Sequence, residues 1–254
     1  MFIDTHVHLY ADEFLADLPA VITKARDNGV SKMLMPNVDK HSINPMNEIA
    51  NAYPGICLPM IGLHPCYVKE DYEIQLEDMK AELETGKYIA IGEIGLDLYW
   101  DKTFYPEQKI SFETQLKWAI EKQIPVAIHS REATKEAIEI IKTLFHKDLR
   151  GVFHCFSGTL DEAEEITSMG FYLGIGGVVT FKNGGLDKIL NQIPIENIIL
   201  ETDAPYLAPI PFRGKRNETS YLTFVAKKLA EVYGLTIDEI GHMTSANANL
   251  LFNI

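Results

Sequence analysis

Cysteine is scarce in this chain. Its 254 residues include three, Cys57, Cys66 and Cys155, which cannot all pair and whose scatter matches neither a disulfide framework nor a zinc finger. Long apolar runs are missing too. No stretch approaches the ~20 residues of a membrane span, and the chain opens on a strand-like run without a basic segment or an apolar signal core. These absences predict a soluble, cytoplasmic protein with no membrane partner, and no obligatory protein partner is evident. There is no Pro-, Gly- or Ser-rich linker, no low-complexity tract and no repeated sequence, so residues 1–254 are expected to form one domain. Basic residues are in deficit: 23 Lys and Arg against 36 Asp and Glu leave a formal net charge of −13. Such a surface repels nucleic acid at long range and argues against a broad phosphate-tracking face. It does not exclude phosphate chemistry inside a pocket.

What is present is alternation. Eight short apolar runs read as strands covered on both faces: Phe2 to His8, Lys32 to Pro36, Ile56 to Ile61, Tyr88 to Glu93, Pro125 to His129, Val152 to Cys155, Phe171 to Ile175 and Ile198 to Asp203. Helical patterns separate them. Phe14, Leu18, Val21, Ile22 and Ala25 form one apolar stripe, and Phe112, Leu116, Ala119 and Ile120 form another behind Pro106. Thr159 with Glu162, and Thr236 with Glu239, have capping-box spacing, while Gly29, Gly86, Gly170 and Gly234 stand where helices terminate. This is the pattern of an α/β protein built as a single (β/α)8 TIM barrel with an extra C-terminal helix.

The carboxyl ends of five of those runs supply His6 and His8, Glu93, His129, His154 and Asp203. In a parallel barrel, strand ends share one mouth. Because side chains alternate along a strand, His6 and His8 project together, and Glu93 is expected to share its inward face with Ile89 and Ile91. Four imidazoles and two carboxylates exceed what one tetrahedral ion needs. They predict two divalent ions with Glu93 as the shared carboxylate, the ions being Mg, Mn or Zn. Glu93 and Asp203 are the catalytic carboxylates of this reading. His41, His146 and His242 lie in helical or loop segments and are expected to be structural or exposed.

A series of motifs spans nearly the whole chain: Asp4-Thr-His-Val-His-Leu9, Gly62-Leu-His-Pro65, Ile91-Gly-Glu-Ile-Gly-Leu-Asp97, Ile128-His-Ser-Arg131, His154-Cys-Phe-Ser-Gly158, Glu201-Thr-Asp-Ala-Pro-Tyr-Leu-Ala-Pro209 and Arg213-Gly-Lys-Arg-Asn-Glu218. In this order they resemble the TatD-type metal-dependent hydrolases of the amidohydrolase superfamily. The resemblance implies that His6, His8, Glu93 and Asp203 hold one metal while Glu93, His129 and His154 hold the other. It also implies a metal-activated water that hydrolyses ester bonds, with deoxyribonuclease activity at a 3′ end of a single strand the favoured reaction. Departures fall outside the ligands: Thr219 replaces a frequent proline, and Leu98 separates Asp97 from Tyr99.

Substrate contacts are expected from His64 after the third strand and from Arg213 and Lys215 in the basic loop after the eighth, with a nucleic-acid end or another phosphoester as partner. Arg131 is a further candidate. The Gly174 to Gly177 run reads first as loop geometry and second as an anion contact. Alternation turns Cys155 away from the site, and Asp4 is a candidate acceptor behind the ligands. Two other functions fit the same ligands: an amidohydrolase acting on a C–N, lactone or aminoacyl ester bond, and a non-catalytic metal-binding barrel.

Overall fold

The computed structural model describes residues 1–144, 146–182 and 184–254. Among these residues strands and helices alternate: β1 (Phe2–Asp4), α1 (Leu18–Asp27), β2 (Val30–Met35), α2 (Ile43–Ala52), β3 (Cys57–Pro59), α3 (Tyr72–Leu83), β4 (Ile91–Asp97), α4 (Tyr105–Lys122), β5 (Val126–Arg131), α5 (Thr134–Leu144), β6 (Gly151–Phe153), α6 (Leu160–Ser168), β7 (Tyr172–Ile175), α7 (Leu186–Leu190), β8 (Ile198–Leu200), α8 (Leu222–Tyr233) and α9 (Ile237–Phe252). All strand pairs are parallel, in two ladders ordered β1-β2-β3 and β4-β5-β6-β7-β8. The ladders meet at bridges between Ile61 and Ile91 and between Val7 and Ala204. The Gly92 N–H donates to the Ile61 carbonyl at 2.8 Å, and the His8 N–H to the Ala204 carbonyl at 2.8 Å. The strands therefore follow one another around a (β/α)8 barrel, as the alternation predicts.

Local signals explain the helices. In α1 a proline in the first turn and Lys24 and Arg26 in the last suit the helix ends, and Val21, Ile22 and Ala25 are buried. Both predicted capping boxes form, at Thr159 with Glu162 and at Thr236 with Glu239. The four predicted terminating glycines all have positive φ, from 67° at Gly234 to 83° at Gly29 and Gly170.

One apolar cluster joins Ile3, Leu34, Met60, Ala90, Ala127, Val152 and Ile199 of the strands to Ala248, Leu251 and Phe252 of α9. The extra C-terminal helix thus closes the barrel floor, and burying each large side chain there stabilises the fold by about 1.5–3 kcal/mol. Two residues further along, Ala127 gives way to His129 on β5, and Val152 and Ile199 give way to His154 and Glu201 just past the ends of β6 and β8. An apolar floor therefore passes into a polar mouth.

Strand boundaries shift from the sequence expectation, and two of the shifts bear most on the site. Regular β1 ends at Asp4, and His6 and His8 ride on an extended continuation tied by N–H bonds from Thr5 to the Leu200 carbonyl and from Val7 to the Leu34 carbonyl, each 3.0 Å. β4 begins at Ile91 and continues to Asp97, so Glu93 lies inside the strand rather than at its end. Simple alternation also fails there. Ile91 packs in the outer cluster that holds Phe112 and Leu116 of α4, because the β4–β5 register shifts between Ile91 and Ile94. Gly95, at φ 139°, allows the close approach of β5: a Cβ there would stand 2.0 Å from the His129 carbonyl oxygen.

Candidate metal centre

The two oxygens of Glu93 face different partners. Oε2 lies 3.1 Å from His6 Nε2 and 3.7 Å from His8 Nε2, while Oε1 lies 2.9 Å from both His129 Nδ1 and His154 Nε2. Asp203 completes the first set, its Oδ1 at 3.3 Å from His8 Nε2 and 3.9 Å from His6 Nε2. Asp203 itself has φ 55°, a left-handed conformation that non-glycine residues seldom adopt, and its N–H donates to the His6 carbonyl at 2.9 Å. All six residues predicted as ligands therefore converge at the carboxyl-end mouth.

The donor set fits divalent cations. Among the described residues Glu93, Asp203 and Glu201 pair with no lysine or arginine, only with imidazoles. Three sets of potential ligand atoms fall within 4.8 Å of one another: His6, His8 and Asp203; His6, Glu93 and His154; and His64, Glu93 and His129. Buried polar atoms are left over as well. Among the described residues His6 Nδ1 and Glu201 Oε2 have no hydrogen-bond partner, and neither has His154 Nδ1, although it lies 3.3 Å from Glu201 Oε1.

Carboxylates and imidazoles here shift one another's ionisation. Burial pushes the Glu93 carboxyl up, but His154, His64 and His6 around it hold it well below the usual carboxylate range. Burial likewise opposes ionisation of Asp203, and the His8 bond with the His154 charge brings it down. His154 moves the other way: burial disfavours its protonated form, yet Glu93 and Glu201 raise it well above an ordinary histidine.

His64 belongs to this group in a different role. Its Nδ1 accepts the Cys66 N–H at 3.0 Å, capping the turn at Pro65–Tyr67, so the neutral ring carries its proton on Nε2, 3.3 Å from Glu93 Oε1. His64 is thus a donor aimed into the site. Of the two roles weighed from sequence, Nδ1 fills the ordering of the turn, while Nε2 faces the cleft where a substrate contact would lie.

Sequence reasoning overlooked two supporting acids. Asp97 Oδ2 stands 2.8 Å from His129 Nε2, while its Oδ1 accepts the Tyr99 and Trp100 N–H groups at 3.0 and 2.8 Å. Burial would raise its carboxyl, but the His129 bond and the Trp100 N–H bring it to about 2. Glu201 sits behind His154 and accepts the Cys155 N–H. The available signal was positional: both acids fall within the motif segments, Asp97 four residues after Glu93 and Glu201 two before Asp203. Gly174 leaves room for Glu201, since a Cβ there would lie 2.3 Å from its Oε2, and Gly177 leaves room for the Leu207 carbonyl. The glycine run is accordingly packing geometry. Asp4 accepts the Thr202 N–H at 2.9 Å and the Thr202 hydroxyl at 2.6 Å, locking β1 to the β8 extension, and burial raises it to about 7.

Above the centre opens a cleft of about 1760 Å³ lined by His8, His64, His129, His154, Asp203 and, higher up, Tyr99, Trp100, Arg131 and Tyr206. Two expectations change here. Cys155 lines this cleft rather than packing behind it, because its φ of 49° breaks the strand alternation; burial keeps its thiol well above the usual range. Arg213 and Lys215 are exposed and do not line the cleft. Arg213 lies over the Phe181 ring, 4.4 Å from its centroid, and neighbouring Arg216 is turned to Asp17 and Glu218. His41, His146 and His242 are exposed, His41 at the cleft edge.

A parallel barrel with paired imidazole–carboxylate sets at its carboxyl-end mouth defines a metal-dependent hydrolase. The TatD-related DNase family model matches residues 3–253, and the chain belongs to that family. It is 39% identical over 255 residues to YabD of Bacillus subtilis, described as an uncharacterized metal-dependent hydrolase, with both chains covered in full. It is 33% identical over 257 residues to the 3′-5′ ssDNA/RNA exonuclease TatD of Pantoea vagans, covering 99% of each. The crystal structure of the TatD homologue YjjV from Escherichia coli superposes with a TM-score of 0.94 at 30% identity, covering 100% of this chain and 98% of that one.

Proposed function

We propose that this protein is a two-metal phosphodiesterase that removes nucleotides from the 3′ end of single-stranded nucleic acid. The observation that carries the reading is the division of Glu93, one oxygen toward His6 and His8 and the other toward His129 and His154. One carboxylate with two such faces suits a pair of ions. His6, His8, Asp203 and Glu93 would hold one, and His129, His154 and Glu93 the other, with Mg, Mn or Zn all compatible with the donors. Divalent ions bound there supply Lewis acidity and bring the pKa of a water toward neutrality.

The chain's own residues do the rest. Asp203, partly open to the cleft, accepts the proton of the attacking water. His64 presents its Nε2–H to a phosphate oxygen, Asp97 fixes the ring of His129, and Glu201 lies against Nδ1 of His154. The full-length similarity to 3′-5′ exonucleases supports a nucleic-acid end as substrate. An acidic chain with a pocketed site, rather than a long basic face, favours a single-stranded end over internal duplex. The free cysteines suit a reducing, cytoplasmic compartment.

The test is turnover on a panel of end-labelled single strands of DNA and RNA, a closed circular strand, a lactone and an aminoacyl ester, each with Mg, Mn or Zn. Stepwise shortening from the 3′ end is expected. Cutting of the closed circle refutes an obligatory exonuclease, and turnover of the lactone or aminoacyl ester alone moves the protein to the amidohydrolase alternative.

A further inference from the structure

We propose that Trp100, Tyr99 and Arg131 form a subsite that stacks one nucleobase and grips the adjoining phosphate, deepening the functional reading above and resting on it. Trp100 is 68% exposed and Tyr99 46%, large values for aromatic rings on a structured turn at the wall of a cleft. The turn is not loose: both residues donate their backbone N–H groups to Asp97, the same carboxylate that meets His129. The rings are set edge to face, 4.9 Å apart at 86°. The Arg131 guanidinium lies 3.7 Å from the Tyr99 ring centroid and 5.3 Å from that of Trp100.

Its place over the Tyr99 ring restrains the guanidinium and leaves its N–H groups unused. Among the described residues its side chain makes no ion pair and no hydrogen bond. A fixed fork of free donors suits a phosphate. Arg131 stands two residues beyond His129 on β5, roughly 6.6 Å further up the wall by strand rise. A strand end whose scissile phosphate sits at the metal centre therefore brings a neighbouring phosphate to Arg131 and its base to Trp100. A base stacks there only if it has left its own helix, so the platform selects unpaired ends of any sequence.

The experiment pairs enzyme and substrate changes. A series of metal-supplied oligonucleotide digestions uses strands carrying one abasic residue at each of the last four positions from the 3′ end. For wild type, one position is expected to lower kcat/KM by roughly 5- to 150-fold, the range of base–aromatic stacking. Trp100→Ala should lower kcat/KM on the intact strand by a similar factor and abolish the effect of that abasic position. Arg131→Gln should reduce the slope of log kcat/KM against log salt by about 0.7, the loss of one single-strand phosphate contact. Equal abasic effects in wild type and Trp100→Ala, or an unchanged salt slope, overturn the subsite. If wild type cleaves no strand at all, the functional reading fails instead. Anisotropy binding to the chelated protein then decides the platform separately: weaker binding of one abasic strand by wild type but not by Trp100→Ala supports it, and indifference of both overturns it.

Discussion

Asp97→Asn replaces one oxygen by NH2 and leaves the shape of the side chain unchanged, yet it should disable half of the metal centre. Ionised Asp97 accepts hydrogen bonds only, so the proton of His129 must reside on Nε2, 2.8 Å away. That leaves the Nδ1 lone pair free toward Glu93 and toward an ion that the His129 set would hold. An asparagine has two ways to sit. With its NH2 toward His129 it forces the proton onto Nδ1 and removes the ligand lone pair. With its oxygen toward His129 it points NH2 at the N–H groups of Tyr99 and Trp100, donor against donor, in a place where Asp97 is 1% exposed. The first outcome should weaken metal affinity at the His129 set by about 10- to 100-fold, the usual effect of losing such a support. The second leaves buried donors unpaired and costs about 1–3 kcal/mol of stability, or several degrees in Tm. Metal titration by calorimetry, with a thermal melt of the same variant, separates the two. A variant with wild-type metal affinity, wild-type Tm and wild-type turnover refutes Nδ1 as the ligand atom of His129.

Chelation should abolish turnover, and Glu93→Ala should lower the metal content of both sets at once; elemental analysis showing full occupancy in that variant removes Glu93 as the bridge. Asp203→Asn should keep much of the metal while losing about 10²- to 10⁴-fold in kcat, as expected for a lost general base; near-normal turnover with metal in place assigns the proton elsewhere. Gly174→Ala should push Glu201 off His154, lowering Tm by the effect of about 1–3 kcal/mol of overpacking and reducing metal affinity, and unchanged values for both would show that β7 can yield. Burial pushes the Cys57 and Cys66 thiols up to about 12. A raised thiol pKa means less thiolate, roughly one part in ten thousand at pH 8, so alkylation of the native protein should be slow there, accelerate toward pH 12 and become fast on unfolding. Rapid native labelling at pH 8 would contradict that burial.

The sequence by itself determined the barrel and grouped its candidate metal ligands, for a physical reason. Strands buried on both faces read as apolar runs, helices between them show caps and stripes, and in a parallel barrel every strand end reaches the same mouth. His6, His8, Glu93, His129, His154 and Asp203 could therefore be grouped without knowing a single distance. Alternation carried that reading only as far as regular backbone lasts. At Ile91 the register shifts, and at Cys155 and Asp203 the backbone turns left-handed, so the faces of these residues were decided by tertiary packing. The supporting acids and the cleft were decided there too. Asp97 matters because β4 lies close enough to β5, beside Gly95, for its carboxylate to reach both His129 and the turn holding Trp100. The basic loop looked suited to phosphate because its charge is visible in sequence, but where that charge points is not. Packing turned Arg213 to Phe181 and Arg216 to Asp17, and among the described residues it left Arg131 as the guanidinium lining the cleft.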